Sequence, residues 1–170
     1  MTADNAQIVD GCRRGDRKAQ RALYDMTAPM ALGVCMRYAA SRAEAEDLMQ
    51  DGYVRVFENI GRLKEPKALQ GWVRQVMTSV CINTVRRRVR FVSLDKEPVE
   101  AVDTPMDAFA DEEVVHALQR LAPQKRTVFN MVAVEEMGYD EVAAKLKCSE
   151  SNVRALFSRA KKELTDILIG

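Results

Sequence analysis

The stretch Gly138-Tyr-Asp-Glu-Val-Ala-Ala-Lys-Leu-Lys-Cys-Ser-Glu-Ser-Asn-Val-Arg-Ala-Leu-Phe-Ser-Arg-Ala-Lys-Lys-Glu-Leu164 decides the fold class of this chain. Val142, Ala143 and Leu146 fall at helical spacing over a short segment. Val153, Leu156, Phe157, Ala160 and Leu164 do so over a longer one. Lys147-Cys148-Ser149 is the connection, the short turn that joins the two helices of a helix-turn-helix. Ser149 can cap the second helix by accepting a backbone N–H, and Glu150 suits the positive end of that helix's dipole. Ala143 is small where the two helices must approach closely. The pattern predicts a helix-turn-helix from about Tyr139 to Leu164.

The opposite face of the second helix carries Ser151, Asn152, Arg154, Ala155, Ser158, Arg159 and Lys162. An arginine can grip guanine O6 and N7 in a bidentate fork, and an asparagine can read adenine in the same manner. Serine hydroxyls, Ser149 included, and the Lys162 ammonium suit phosphate contacts that set the position of the helix on the duplex. A basic face alone also fits a solvated bundle helix. The short first helix, the capped turn and the basic second helix together point to a reading head for the major groove. A membrane-surface helix is disfavoured, because the apolar stripe is needed to pack the first helix.

Working outward, helical periodicity dominates. Ala19–Ala40 carries Leu23, Met26, Met30, Val34, Cys35 and Tyr38, with Pro29 expected to bend or divide it. Ala43–Ile60 carries Leu48, Met49, Tyr53, Val56 and Phe57. Gly61 and Pro66 bracket a short basic loop. A long helix from about Lys67 to Arg88 should bury Leu69, Trp72, Val73, Val76, Val80 and Val85. Ser93–Met106 is acidic, holds Pro98 and Pro105, and has no sustained period, so it reads as a linker. Helices resume near Asp107, with a junction at Ala122-Pro123. The fold expected is all-α: two small helical domains, residues 1–92 and 111–170, joined by an acidic linker over 93–110.

Composition agrees. The 170 residues include only eight Gly and five Pro, and 47% are apolar, a helix-forming, globular palette. The net charge of +1 hides strong local bias. Met1–Val92 has 16 basic against 10 acidic residues, and Ser93–Ala110 has 1 against 5. Lys145–Lys162 holds six basic residues and only Glu150 as an acid. Two basic surfaces separated by an acidic joint can each bind phosphates whatever the total charge. No apolar run approaches the roughly 20 residues of a membrane span, and Met1–Asp10 is short, polar and without a signal-peptide pattern. The expected location is the cytoplasm. Cys12, Cys35, Cys81 and Cys148 are scattered and His116 is the only histidine, so neither a metal site nor any cofactor is expected, and the thiols should be reduced and mostly buried.

The combined pattern resembles the extracytoplasmic-function sigma factors, the small initiation factors of bacterial RNA polymerase. In the N-terminal half the resemblance is carried by Ala45-Glu-Asp-Leu-Met-Gln-Asp-Gly-Tyr-Val-Arg-Val-Phe57, Gly71-Trp-Val-Arg-Gln-Val-Met77 and Asn83-Thr-Val-Arg-Arg-Arg88. In the C-terminal half it is carried by Leu121-Ala-Pro-Gln-Lys-Arg-Thr-Val-Phe129, Glu141-Val-Ala143, Ser149-Glu-Ser-Asn-Val-Arg154 and Ser158-Arg-Ala160. The resemblance implies that Asp47, Gln50 and Asp51, with Arg55 nearby, dock on the clamp coiled coil of the largest polymerase subunit. These three share one helical face and offer acceptors to a basic partner helix. It further implies that Arg62, Lys64, Ser79, Asn83, Arg86, Arg87 and Arg88 recognise and open the minus-ten element of promoter DNA, where an unstacked base and a separated strand must be held. Trp72 is a possible stacking platform, but its place in the apolar stripe favours a core role. Arg154, Ala155, Ser158 and Arg159 would face the minus-thirty-five element. An anti-sigma factor is the regulator the family implies.

Three positions depart from the family pattern. Lys147 stands where Gly is usual, at about 1 kcal/mol if the backbone there is left-handed. Gly138 stands where Ser or Thr commonly caps, and Ser79 where Asn is common. Two other functions fit the sequence less well. A free-standing helix-turn-helix regulator with an N-terminal sensing or dimerisation domain would ordinarily pair its reading heads on a palindrome. A helical enzyme using Asp47, Asp51 or His116 lacks any visible set of nucleophile, base and orienting group.

Overall fold

The computed structural model describes residues 2–89 and 112–170, and helices are the only regular structure among them. They are α1 (Thr2–Arg13), α2 (Arg17–Tyr38), α3 (Arg42–Asn59), α4 (Leu69–Arg88), α5 (Glu112–Gln119), α6 (Pro123–Phe129), α7 (Tyr139–Leu146) and α8 (Glu150–Ile169). The all-α expectation holds. The expected linker and the restart near Asp107 lie outside the described residues. The chain forms two compact units, one of Met1–Cys35 with Arg42–Cys81, the other of Met36–Ser41 with Ile82–Gly170.

In the first unit, α1 is a helix that the polar reading of Met1–Asp10 did not anticipate. It contributes only Val9 and Cys12 to the core, too few to raise a periodic signal. Pro29 does not divide this segment: α2 runs through it. Proline has no N–H for the carbonyl one turn earlier, and it is tolerated here because it lies on the exposed side of the helix.

The stripe expected on α4 is partly corrected. Leu69, Val73, Val80 and Val85 are buried, while Trp72 and Val76 are only half-buried. Met77 and Cys81 fill the core of the first unit, and Ile82 is buried in the second. Met77 lies against Gly52 of α3, where an added Cβ would come within 2.2 Å of its Sδ. The missing side chain at Gly52 is therefore the space that the thioether occupies. Two polar groups are settled inside this core. Thr27 Oγ1 is 2.9 Å from the Leu23 carbonyl, to which it donates, and 2.7 Å from the Tyr53 hydroxyl. Cys35 and Cys81, 46 residues apart, bring their Sγ atoms to 3.8 Å in full burial.

The second unit starts its α6 on Pro123, as the Ala122-Pro123 junction predicts. Arg126 is 3% exposed. Its guanidinium donates to the carbonyls of Leu118 at 3.0 Å, Leu121 at 2.8 Å and Tyr38 at 3.2 Å. A buried arginine is tolerable when its rigid fork meets such carbonyls, which lie at or just beyond helix ends. After α6 the chain widens into a π-type turn over Asn130–Val134, closed by the Glu135 N–H on the Asn130 carbonyl at 2.9 Å. Phe129 carries the core forward to α8, its ring 5.9 Å from that of Phe157.

Candidate nucleic-acid interface

The reading head is built as its sequence predicts. Val142, Ala143 and Leu146 of α7 pack with Val153, Leu156, Phe157, Ala160 and Leu164 of α8, all buried. Ser149 is the N-cap of α8, its Oγ accepting the Asn152 N–H at 3.1 Å. Gly138 caps α7 without a side-chain bond. Lys147 takes the left-handed conformation, φ 57° and ψ 47°. The chain thus keeps the backbone that glycine favours while placing lysine there.

On the outer face of α8, Ser151, Arg154 and Lys162 are exposed, and Ala155, Ser158 and Arg159 are half-buried. Asn152 departs from expectation. It is 5% exposed, tucked against the turn that holds Cys148. Buried there, it is less open to a base than Arg154. The Cys148 thiol is pushed above its ordinary 9.0, chiefly by burial and against the opposing influence of the nearby Asn152 amide. It stays protonated at neutral pH, so the turn carries no charge from this group.

Tyr139 was not singled out by sequence. Its ring lies under the Arg154 guanidinium, 4.7 Å from centroid to Cζ, and 6.2 Å from the Phe157 ring. A signal existed, an aromatic residue at the first position of α7, but its partner is fifteen residues away and on another helix. Lys161 caps the Phe157 ring at 4.8 Å, and Lys125 pairs with Glu163, so these two lysines face their own unit.

The residues assigned to the minus-ten element belong to both units and are described in each. In the first, Arg62 and Lys64 are exposed on the loop between α3 and α4, and Ser79 is exposed on α4. Arg13 of α1 donates to the Leu63 carbonyl between the two basic residues, so the unanticipated helix anchors this loop. In the second unit, Arg87 and Arg88 are exposed at the end of α4 and Asn83 is half-buried. The Arg87 Nε donates to the Asn83 carbonyl at 3.3 Å. Arg86 is half-buried and points its Nη1 at the Lys145 carbonyl, 3.5 Å away.

The first unit also presents the face assigned to the polymerase. Asp47, Gln50, Asp51 and Arg55 are all exposed along α3. Gln50 edges a groove of about 600 Å³ whose walls include Tyr24, Met49, Tyr53, Val54 and Phe57. Val54 is 57% exposed and Tyr24 38%. The sequence indicated the polar face but not this apolar neighbour, because Tyr24 comes from α2 and its meeting with Tyr53, 4.8 Å between rings, is tertiary.

Comparison with known proteins agrees with this geometry. The sigma-70 region 2 family model matches residues 23–91, and the sigma-70 region 4 model matches residues 111–164. The RNA polymerase sigma-H factor of Pseudomonas aeruginosa is 23% identical over 95% of this chain and 92% of its own length. The ECF RNA polymerase sigma factor SigE of Mycolicibacterium smegmatis is 27% identical over 78% of this chain, which spans about half, 54%, of that longer relative. In fold, the chain is similar to the sigma factor RpoE of Bartonella quintana, solved in complex with the anti-sigma factor NepR, with a TM-score of 0.51 at 17% identity over 88% of this chain and 96% of that one. With both sigma-70 regions in order and the helix-turn-helix within the second of them, this chain belongs to the extracytoplasmic-function sigma factors, the promoter-specificity subunits of bacterial RNA polymerase.

Proposed function

We propose that the chain acts in the cytoplasm, without catalysing any step itself, by holding promoter DNA through two grips while the polymerase does the chemistry. The observation that carries this reading is the second helix of the reading head, capped at Ser149 and presenting Arg154, Ser158, Arg159 and Lys162 away from a packed core. Arg154 and Arg159 suit base edges of the upstream element, and Lys162 suits phosphate. Residues 111–170 form this upstream grip. Residues 1–92 hold polymerase and the minus-ten element.

The carboxylates of Asp47 and Asp51 and the amide of Gln50 offer acceptors to a basic helix, and the adjoining apolar groove gives the contact its desolvated centre. Arg62, Lys64, Arg87 and Arg88 supply charge to a separated strand, which has lost the stacking that shielded it. The acidic 93–110 segment links the grips. An anti-sigma factor, the class of partner crystallised with the Bartonella RpoE, is the expected inhibitor.

In-vitro transcription with purified core polymerase and a genomic promoter library tests the proposal. Selective initiation from a promoter subset is expected. Failure to bind core polymerase under any condition would overturn it. Within the same assay, Arg154→Ala should relax preference at one base pair, and Lys162→Ala should weaken all sequences alike.

A further inference from the structure

The aromatic residue that opens α7 has no part in the reading above, although that reading is the ground on which the following inference rests. Tyr139 is half-buried and lies between the core of its unit and an exposed cation. On one side, Phe129, 1% exposed, stacks with Phe157, whose ring is 6.2 Å from that of Tyr139. On the other, the Arg154 guanidinium lies over the Tyr139 ring at 4.7 Å. Tyr139 is thus backed by the Phe157 ring, itself stacked on Phe129, and carries the arginine over its own ring.

An arginine held this way differs from one standing free. Cation–π stacking engages the flat face of the guanidinium and leaves its in-plane N–H donors available. Among the described residues no carboxylate pairs with Arg154. An exposed arginine otherwise samples many rotamers, and freezing them when it meets a base weakens the contact. A ring beneath the guanidinium removes part of that loss and sets the plane of the fork. A bidentate grip on a guanine edge depends on both.

We infer that Tyr139 is a specificity-positioning residue, which acts through Arg154 by stacking beneath its guanidinium and orienting it toward one base pair of the upstream element. The hydroxyl has no share in this. Phenylalanine at position 139 should therefore work as tyrosine does, and leucine, of similar bulk but with no π face, should not.

The experiment uses the holoenzyme with promoter duplexes randomised at the upstream element, and sequences those selected. Tyr139→Leu should lower discrimination about two- to fivefold at a single base pair, the same pair that Arg154→Ala affects. Tyr139→Phe should change it by less than twofold, and Tyr139→Leu should add nothing in an Arg154→Ala background. Equal weakening at every position, the mark of a loosened fold, would overturn the inference. So would a Phe variant as impaired as the Leu variant, or a further loss in the double variant at that pair. The ring-current shift of the Arg154 side-chain protons in the free protein separates this inference from its foundation. Should Arg154→Ala affect no single base pair, the base-reading role of Arg154 fails. A shift that is present in wild type and Tyr139→Phe and lost in Tyr139→Leu then still shows that Tyr139 orients the side chain. Absence of the shift in wild type sinks the inference whatever Arg154 reads.

Discussion

Replacing Lys147 with glycine should make the turn between α7 and α8 harder to open. Lys147 sits at φ 57° and ψ 47°, a conformation that brings the Cβ of an L-residue close to its carbonyl at about 1–2 kcal/mol. Glycine removes that strain but gives up about 0.5–1 kcal/mol of extra freedom in the open chain. It also removes an exposed positive charge near the C-terminal end of α7, worth about 0.3 kcal/mol. The net expected stabilisation is about 0.5 kcal/mol. Alanine isolates the backbone contribution, because it lacks the charge yet keeps the strain. Glycine should exceed alanine by about 0.8 kcal/mol, close to fourfold in the opening equilibrium. Amide hydrogen exchange reads this at the Cys148 N–H, which bonds the Ala143 carbonyl at 3.1 Å across the turn. The fluorescence of Trp72, the only tryptophan and a member of the other unit, serves as an internal control that should not move. Protection in Lys147→Gly equal to or below that in Lys147→Ala would refute the reasoning, since the left-handed backbone would then carry no strain for glycine to relieve.

Three further outcomes follow from the same geometry. Ser149→Ala removes the acceptor for the Asn152 N–H and should destabilise α8 by about 1 kcal/mol in thermal or urea unfolding, whereas Ser149→Asp should keep the cap and stability but weaken DNA binding through its charge. Gly52→Ala drives a Cβ to 2.2 Å from the Met77 Sδ in a buried site. Overpacking of about 1–3 kcal/mol less a helix-propensity gain near 1 leaves up to about 2 kcal/mol of destabilisation, readable by Trp72 fluorescence and partly relieved by Met77→Ala. For pH, burial raises the thiols of Cys12 and Cys148 above 9.0, with Asp16 adding to the rise at Cys12, and burial raises the Tyr53 hydroxyl above 10.0 against its bond to Thr27. Each group is protonated more firmly folded than unfolded. The stability it contributes is complete below its unfolded value and is lost as pH rises through the folded one. The urea midpoint should therefore decline from about pH 9 upward, and Tyr53→Phe should flatten the part above 10.

What the sequence made legible was whatever a single helix decides alone. The cap at Ser149, the proline start of α6 and the apolar stripes of α7 and α8 each depend on residues within a turn or two of one another. Features that require two helices to meet were beyond it. The apolar groove beside Gln50 needs Tyr24 from α2 against Tyr53 from α3. Cys35 and Cys81 look scattered until α2 and α4 pack. Met77 displaces Trp72 from the core of α4 because Gly52 opens a space opposite it, and that space is invisible to any count of apolar spacing along α4.

The reading head shows where that boundary runs. Successive residues of α8 are separated by about 100° around its axis, so with the buried stripe centred on Val153, Asn152 and Arg154 stand on its two opposite flanks. Periodicity assigns both to the border between core and solvent and cannot rank them. The neighbours do. On one flank the turn folds back, the Ser149 hydroxyl accepts the Asn152 backbone N–H, and the Asn152 side chain is buried. On the other, the start of α7 supplies a ring rather than a turn, and Arg154 stays exposed upon it. Two residues equally suited by chemistry to read bases are thus separated by what lies across from them: Asn152 is buried, and Arg154, over its aromatic floor, is exposed.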